Sequence, residues 1–238
     1  MKLISVNVEK SRHLDRVIPF LKEQQADIIC LQELCEQDVE LFKRELKMEG
    51  EFIAMNAGEQ AMQWGVGLLS HYPLSGFKST LYDTFAADYM GEYAPHKKTM
   101  TRRPLCHLLS ARIQQNGVTY SVATTHFTWA PDGKVTDEQR VNLKSLSVLL
   151  DGFPELILCG DFNAVRGTEI FDALATRYTD NIPAEATTTL DGNLHRAGPL
   201  PYVVDGMFTS KEYVATSVRV VDGVSDHCAI VAEIERVF

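Results

Sequence analysis

The acids, amides and imidazoles of this chain recur at one kind of place, the end of a short apolar run. Asp161 and Asn163 follow Leu156-Ile157-Leu158-Cys159-Gly160, and Glu33 follows Ile28-Ile29-Cys30-Leu31-Gln32. Asn7 and Glu9 close the run at 3–8, and His126 closes the one at 118–125. Asp205 lies inside Tyr202-Val203-Val204-Asp205-Gly206-Met207-Phe208, and Ser225-Asp226-His227 stands just before the last run. Short apolar runs of this kind read as buried strands, so these polar side chains fall where strands leave a sheet. A half-buried charge is costly there unless it is paired or bound to a cation. An acid and an amide two residues apart can share one small anionic ligand, the acid handling a proton and the amide donating a hydrogen bond. The plain alternative for Asp161 and Asn163 is an Asx-type turn that caps the next helix. Carboxylates with amides and histidines, and no cysteine ligands, suit a hard oxygen-loving ion such as Mg²⁺ or Mn²⁺, which in turn suits phosphoryl chemistry.

The elements that must position these groups follow from periodicity and turn signals. Residues 3–8 and 28–31 read as strands, with a helix between them carrying Leu14, Val17, Ile18 and Leu21, in which Pro19 marks a kink or the true start. Residues 36–48 read as an amphipathic helix stopped by Gly50. Strands are expected at 64–70 and 75–82, and at 105–113 and 118–125 around the hairpin signal Asn116-Gly117. A helix at 137–150 leads into the strand that ends at Asp161. A short helix follows near 168–175, then strands at 202–209, 213–221 and 229–237. Two irregular stretches stand out: 83–103, with His96, Lys97, Lys98, Arg102 and Arg103, and 187–201, with His195 and Arg196. No linker divides the chain, so a single domain over 1–238 is expected, of mixed strands in two sheets with helices outside.

Composition narrows the function classes. Of 238 residues, 45% are apolar and 23% charged, ordinary for a globular protein. No run of eighteen apolar residues is present, so no membrane span is expected, and the N-terminus reads as a strand rather than a signal core, which points to the cytoplasm. The five cysteines are odd in number and lie mostly in apolar runs, which fits buried thiols rather than zinc or disulfides. The net charge of −9 argues against tight binding along a long polyanion, but not against an enzyme that reaches phosphate through a metal.

Asn7, Leu31-Gln32-Glu33, Thr125-His126, Gly160-Asp161-Phe162-Asn163, Asp205 and Ser225-Asp226-His227, in this order and at these separations, resemble the endonuclease/exonuclease/phosphatase superfamily. Each motif alone is weak, whereas the ordered set, running from Asn7 to the end of the chain, is specific. The resemblance implies a four-layered α/β (α+β) sandwich, two mixed β-sheets face to face with helices outside. It implies Glu33 as principal ligand of a Mg²⁺ or Mn²⁺ ion, aided by Asn7 and Asp226, with Glu9 a secondary candidate where some relatives carry aspartate. Asp161 is then expected to activate the attacking water and Asn163 to hold a non-bridging oxygen. His227, oriented by Asp205, is expected to donate to the developing charge, and His126 to contact the phosphate from the opposite side. One departure is Gly206, where relatives usually place a bulky residue.

The expected activity is hydrolysis of a phosphodiester or phosphomonoester, with short or single-stranded nucleic acid, a nucleotide or a phosphorylated small molecule as substrate and no protein partner evident. The competing reading is a catalytically silent module that holds a nucleotide or phospholipid head group in the same cleft. Arg102 and Arg103 are candidates to clamp a second phosphate, and His195 is a further substrate-binding candidate. Trp129 is a candidate to stack on a base or sugar, with simple packing the favoured alternative.

Overall fold

A computed structural model describes residues 1–56, 62–83 and 104–237. Its strands form two six-stranded sheets. With strands numbered in chain order, the first sheet runs β11-β12-β1-β2-β4-β3 and the second β5-β6-β7-β8-β10-β9. In the first, β1 (Lys2–Asn7) pairs in parallel with β2 (Ile28–Cys35) and antiparallel with β12 (Ala229–Arg236); β4 (Trp64–Ser70), β3 (Glu49–Ala54) and β11 (Tyr213–Val221) complete it. In the second, β7 (Val118–His126) pairs in parallel with β8 (Ile157–Asp161) and antiparallel with β6 (His107–Gln115). β10 (Asp205–Thr209) lies antiparallel to β8 and to β9 (Thr179–Asp180), and β5 (Leu74–Leu81) closes the other edge.

Alternation along the strands builds the layers. Leu3, Ile28 and Cys30 face the second sheet and share a core with Leu109, Val122, Leu158 and Phe208. Their neighbours Ile4, Val6, Ile29 and Leu31 face the other way, onto Val17 and Leu21 of α1 (Leu14–Gln24) and Val39, Phe42 and Leu46 of α2 (Val39–Leu46). Leu146 and Leu150 of α3 (Asp137–Leu150) and Ile170, Phe171 and Leu174 of α4 (Glu169–Arg177) join the core of the second sheet. A period of two on the strands and of 3.6 on the helices therefore gives the expected four-layered sandwich. Among the described residues, no helix is long and apolar enough to cross a membrane. All five cysteines are buried and outside any disulfide, as expected.

Two expectations need correction. Pro19 does not mark the true start of α1, which begins at Leu14 and runs through it to Gln24. Gly50 does not stop a helix: α2 ends at Leu46 with Lys47 in the left-handed region at φ 55°, and Gly50 lies inside β3. A Cβ there would meet Leu68 O at 2.1 Å, so the glycine serves the close approach of β3 to β4. Gly160 plays the same part between β8 and β7, where a Cβ would meet Thr125 O at 2.1 Å. That contact sets the neighbouring side chains, Asp161 and His126, side by side.

Candidate active site

The register of the two parallel pairs delivers the polar residues to one end of the sandwich. Asn7 is paired with Gln32 at the end of β1/β2, and His126 with Asp161 at the end of β7/β8. Asp205, at the start of β10, stands opposite Asp161 from the antiparallel side. Glu33 sits at an irregularity in the β2/β4 register between Leu31 and Leu34, in the left-handed region at φ 53°. A bulge of this kind re-aims one side chain out of the pleat. Asn163 is likewise left-handed at φ 47°. Glu9, Lys10 and Ser11 add three consecutive left-handed residues just past β1, at φ 43°, 54° and 60°. Non-glycine residues so placed cost about 1 kcal/mol or more each, and such outliers cluster at working sites.

The Asp161 carboxylate is the focus, and it is buried. Its Oδ2 accepts from Asn7 Nδ2 at 3.1 Å and lies 3.5 Å from His126 Nε2 and 3.7 Å from His227 Nε2. Its Oδ1 accepts from the Asn163 backbone N–H at 2.8 Å. Around this centre, His227 Nδ1 donates to Asp205 Oδ2 at 2.9 Å and His126 Nε2 lies 3.3 Å from Glu33 Oε1. The Asn163 side-chain amide donates to Phe127 O at 3.0 Å and comes within 3.5 Å of His126 Nε2.

Electrostatics match this packing. Burial works against charge on His227, but the carboxylates of Asp205 and Asp161 outweigh it and hold the imidazole protonated well above its usual range. Burial opposes charge on His126 too, and the Glu33 hydrogen bond and the Asp161 charge raise it. Burial alone would raise the Glu33 carboxyl, yet His126, Lys10 and His227 hold it at about 2. Asp226 is the exception. Burial, and the negative charges of Glu9 and Glu33 against the partial relief of His227, push it up to about 6.

That exception tests the fit of a metal. Asp161, Asp205 and His227 form a buried group whose ligand atoms lie within 4.8 Å of one another, close enough to hold an ion. Asp205 and His227, however, already satisfy each other. The remaining acids are carboxylates: the charges of Glu9 and Glu33 act against that of Asp226, and an oxygen-rich set of this kind is what a hard dication takes. Both oxygens of Glu9 are themselves engaged, with Arg12 at 2.8 Å and His13 at 2.9 Å.

Of the remaining candidates, His195 lies near enough to His227 to feel its charge. Burial first, then the charges of His227 and Arg196, keep its imidazole neutral below the usual range. Trp129 does not pack: it is 62% exposed, just beyond His126 and Phe127. Arg102 and Arg103 lie outside the described residues. Gly206 has no room for the bulky residue of relatives, because a Cβ would meet the Phe208 ring at 2.5 Å and the Phe162 ring at 2.9 Å.

Several supporting residues were not anticipated. Gln139 is buried, and its amide donates to Asn163 O at 3.0 Å and Thr128 O at 2.8 Å, which pins the strained Asn163. Its signal was the Thr136-x-x-Gln139 capping box that opens α3. Thr189 accepts from the backbone N–H groups of Val204 and Asp205 at 3.0 and 3.1 Å. Asp191 accepts from Asn193, Leu194 and Gly223, and its own N–H donates to Asp226 O, so the 187–201 segment buttresses the Ser225-Asp226-His227 turn.

Comparison with known proteins agrees with this fold. A model of the endonuclease/exonuclease/phosphatase family matches residues 4–227. No curated protein matches the chain by sequence. Among solved structures, a mannosyl-6-phosphatase of Bacteroides thetaiotaomicron is similar at 13% identity and TM-score 0.75, covering 100% of both chains. The catalytic domain of human Nocturnin, with bound sulfate, is similar at 16% identity and TM-score 0.69, over 100% of this chain and 94% of that one. TDP2 of D. rerio, complexed with a single-strand DNA product, is similar at 17% identity and TM-score 0.67, over 99% and 98%. At these identities the likeness is one of fold.

Proposed function

We propose that this chain, which belongs to the endonuclease/exonuclease/phosphatase family, hydrolyses a phosphate ester in this cleft by in-line attack of water. The observation that carries the reading is the convergence on Asp161 Oδ2 of Asn7, His126 and His227 at 3.1–3.7 Å, side chains from both sheets. Asp161 takes the proton of the attacking water, and its second oxygen stays anchored on the Asn163 N–H. His227 and His126, both protonated, donate to non-bridging oxygens as negative charge develops there, and Asp205 fixes the His227 ring. Asn163 holds a further phosphate oxygen. Glu33 and Asp226 would hold a Mg²⁺ or Mn²⁺ ion together with Asn7 Oδ1, which keeps a lone pair beyond the one given to the Glu9 N–H. The ion supplies Lewis acidity and neutralises phosphate charge. Glu9 acts through its charge and not as a ligand.

The substrate is short: single-stranded nucleic acid, a nucleotide or a phosphorylated small molecule. A net charge of −9 disfavours long duplexes, and the exposed Trp129 offers a planar face for a base or sugar. A mannosyl-6-phosphatase and a single-strand DNA complex among the similar structures suit that range. The test is hydrolysis of bis-p-nitrophenyl phosphate and p-nitrophenyl phosphate with Mg²⁺ or Mn²⁺, with and without chelator. Absence of turnover with either ion over a broad substrate panel would instead favour a silent binding module.

Asp226 supplies a readout independent of turnover. With a folded pKa near 6 against an ordinary 3.8, its carboxyl keeps a proton that the unfolded chain has released, so its contribution to stability falls as pH rises from roughly 4 to 6. The full loss is on the order of 2–3 kcal/mol. Asp226→Asn is therefore expected to raise the melting temperature of the metal-free protein at pH 7 and to shrink the additional rise produced by Mg²⁺. An unchanged Mg²⁺ shift in thermal melts of the variant would remove Asp226 from the ligand set.

A further inference from the structure

The Glu33 carboxylate has two oxygens with different neighbours. Oε1 faces His126 Nε2 at 3.3 Å, and Oε2 faces the ammonium of Lys10 at 3.9 Å. The left-handed Glu9-Lys10-Ser11 turn brings the lysine there, and that turn is tied down on both sides. The Glu9 N–H donates to Asn7 Oδ1 at 3.0 Å, and Ser11 Oγ accepts from the Cys35 N–H, two residues past Glu33, at 3.1 Å. The nearer carboxylate in sequence, Glu9, is taken by Arg12 and His13, so Lys10 is left to Glu33. Its ammonium also lies 5.0 Å over the centre of the Trp64 ring, whose edge meets His126 at 5.8 Å between ring centres. The Lys10 side chain is 44% exposed, so it is free to swing outward while Trp64 gives it a second attractive seat.

We propose that Lys10 is a built-in monovalent cation that occupies Glu33 Oε2 in the metal-free protein and is displaced when a dication binds there. It offsets the Glu33 charge that acts on Asp226 before loading, and competition with it weakens divalent-ion affinity, so that loading is reversible. The inference rests on the reading of Glu33 as a metal ligand made above.

The experiment is titration of the full chain with Mn²⁺ alone, by calorimetry, for wild type, Lys10→Met, Lys10→Arg and Glu33→Gln. Lys10→Met is expected to bind Mn²⁺ about tenfold more tightly, the scale of one unit charge acting on a nearby ion at high dielectric, while Lys10→Arg stays near wild type. In a Trp129→Phe background Trp64 is the sole tryptophan. Its emission is expected to change on Mn²⁺ addition when Lys10 is present and to stay constant in Lys10→Met. Equal Mn²⁺ affinity in wild type and Lys10→Met, with binding lost in Glu33→Gln, overturns the proposal alone. Binding that survives Glu33→Gln overturns it together with the assignment of Glu33. A fall in melting temperature for Lys10→Met with unchanged affinity shows a merely structural lysine and also overturns it.

Discussion

Asp161→Asn is expected to lower turnover of bis-p-nitrophenyl phosphate by about 10²–10⁴-fold, the range for losing a general base, without restoring activity at any pH. The substitution changes more than proton affinity. Asp161 Oδ1 must accept from the Asn163 N–H, so the amide of an asparagine would place its oxygen there and turn its NH₂ toward Asn7 Nδ2, His126 Nε2 and His227 Nε2. Donors would then face donors in a buried pocket, at a cost of about 1–3 kcal/mol. A melting temperature lowered by several degrees should accompany the kinetic loss, and circular dichroism below that temperature should show the fold intact. Retention of more than a tenth of wild-type turnover would remove Asp161 from the chemistry.

His227→Gln carries the second-largest expected effect, a loss of about 10²–10³-fold in turnover, the scale for removing one donor to developing charge. The glutamine amide takes the place of Nε2, so it brings no positive charge to the phosphate and gives up the Nδ1 bond to Asp205. The pH profile separates orientation from charge. With burial opposed and outweighed by Asp205 and Asp161, the wild-type imidazole stays protonated through neutrality, so its loss of charge should appear as a fall in activity on the alkaline side. Asp205→Asn removes the larger of those two attractions, and the alkaline limb is then expected to move to lower pH. A limb that stays in place in Asp205→Asn would mean that another group sets it.

The parts of this molecule that were legible in the sequence are those written in local pattern. The buried strand at 157–161 with its polar exit, the helix Asp137–Leu150, the strand Trp64–Ser70 and the hairpin through Asn116-Gly117 each carry their own periodicity and turn chemistry. The polar residues at strand ends were legible for the same reason, since an acid after an apolar run conflicts with burial wherever it occurs. What was hidden depends on partners distant in sequence. Gly50 looks like a helix stop until β4 is laid against it. Lys10 looks like a solvated charge until the left-handed turn carries it to Glu33. Gln139 announces a helix cap, and nothing local says that the same amide grips Asn163, 24 residues on. Trp129 misled in the opposite direction, because an aromatic residue after a strand usually finds a core, and here it is left in solvent.

The sealed cysteines have a practical use. Cys30 lies in the strand that leads to Glu33, Cys159 stands two residues before Asp161, and Cys228 follows His227. In the native protein all are shielded, so an alkylating reagent can reach them only through transient openings. Mass-spectrometric timing of each adduct then becomes a clock for breathing of the segments that carry Glu33, Asp161 and His227. Cys228, at a loop-to-strand junction, should be modified earlier than Cys159, which is enclosed between β7 and β10.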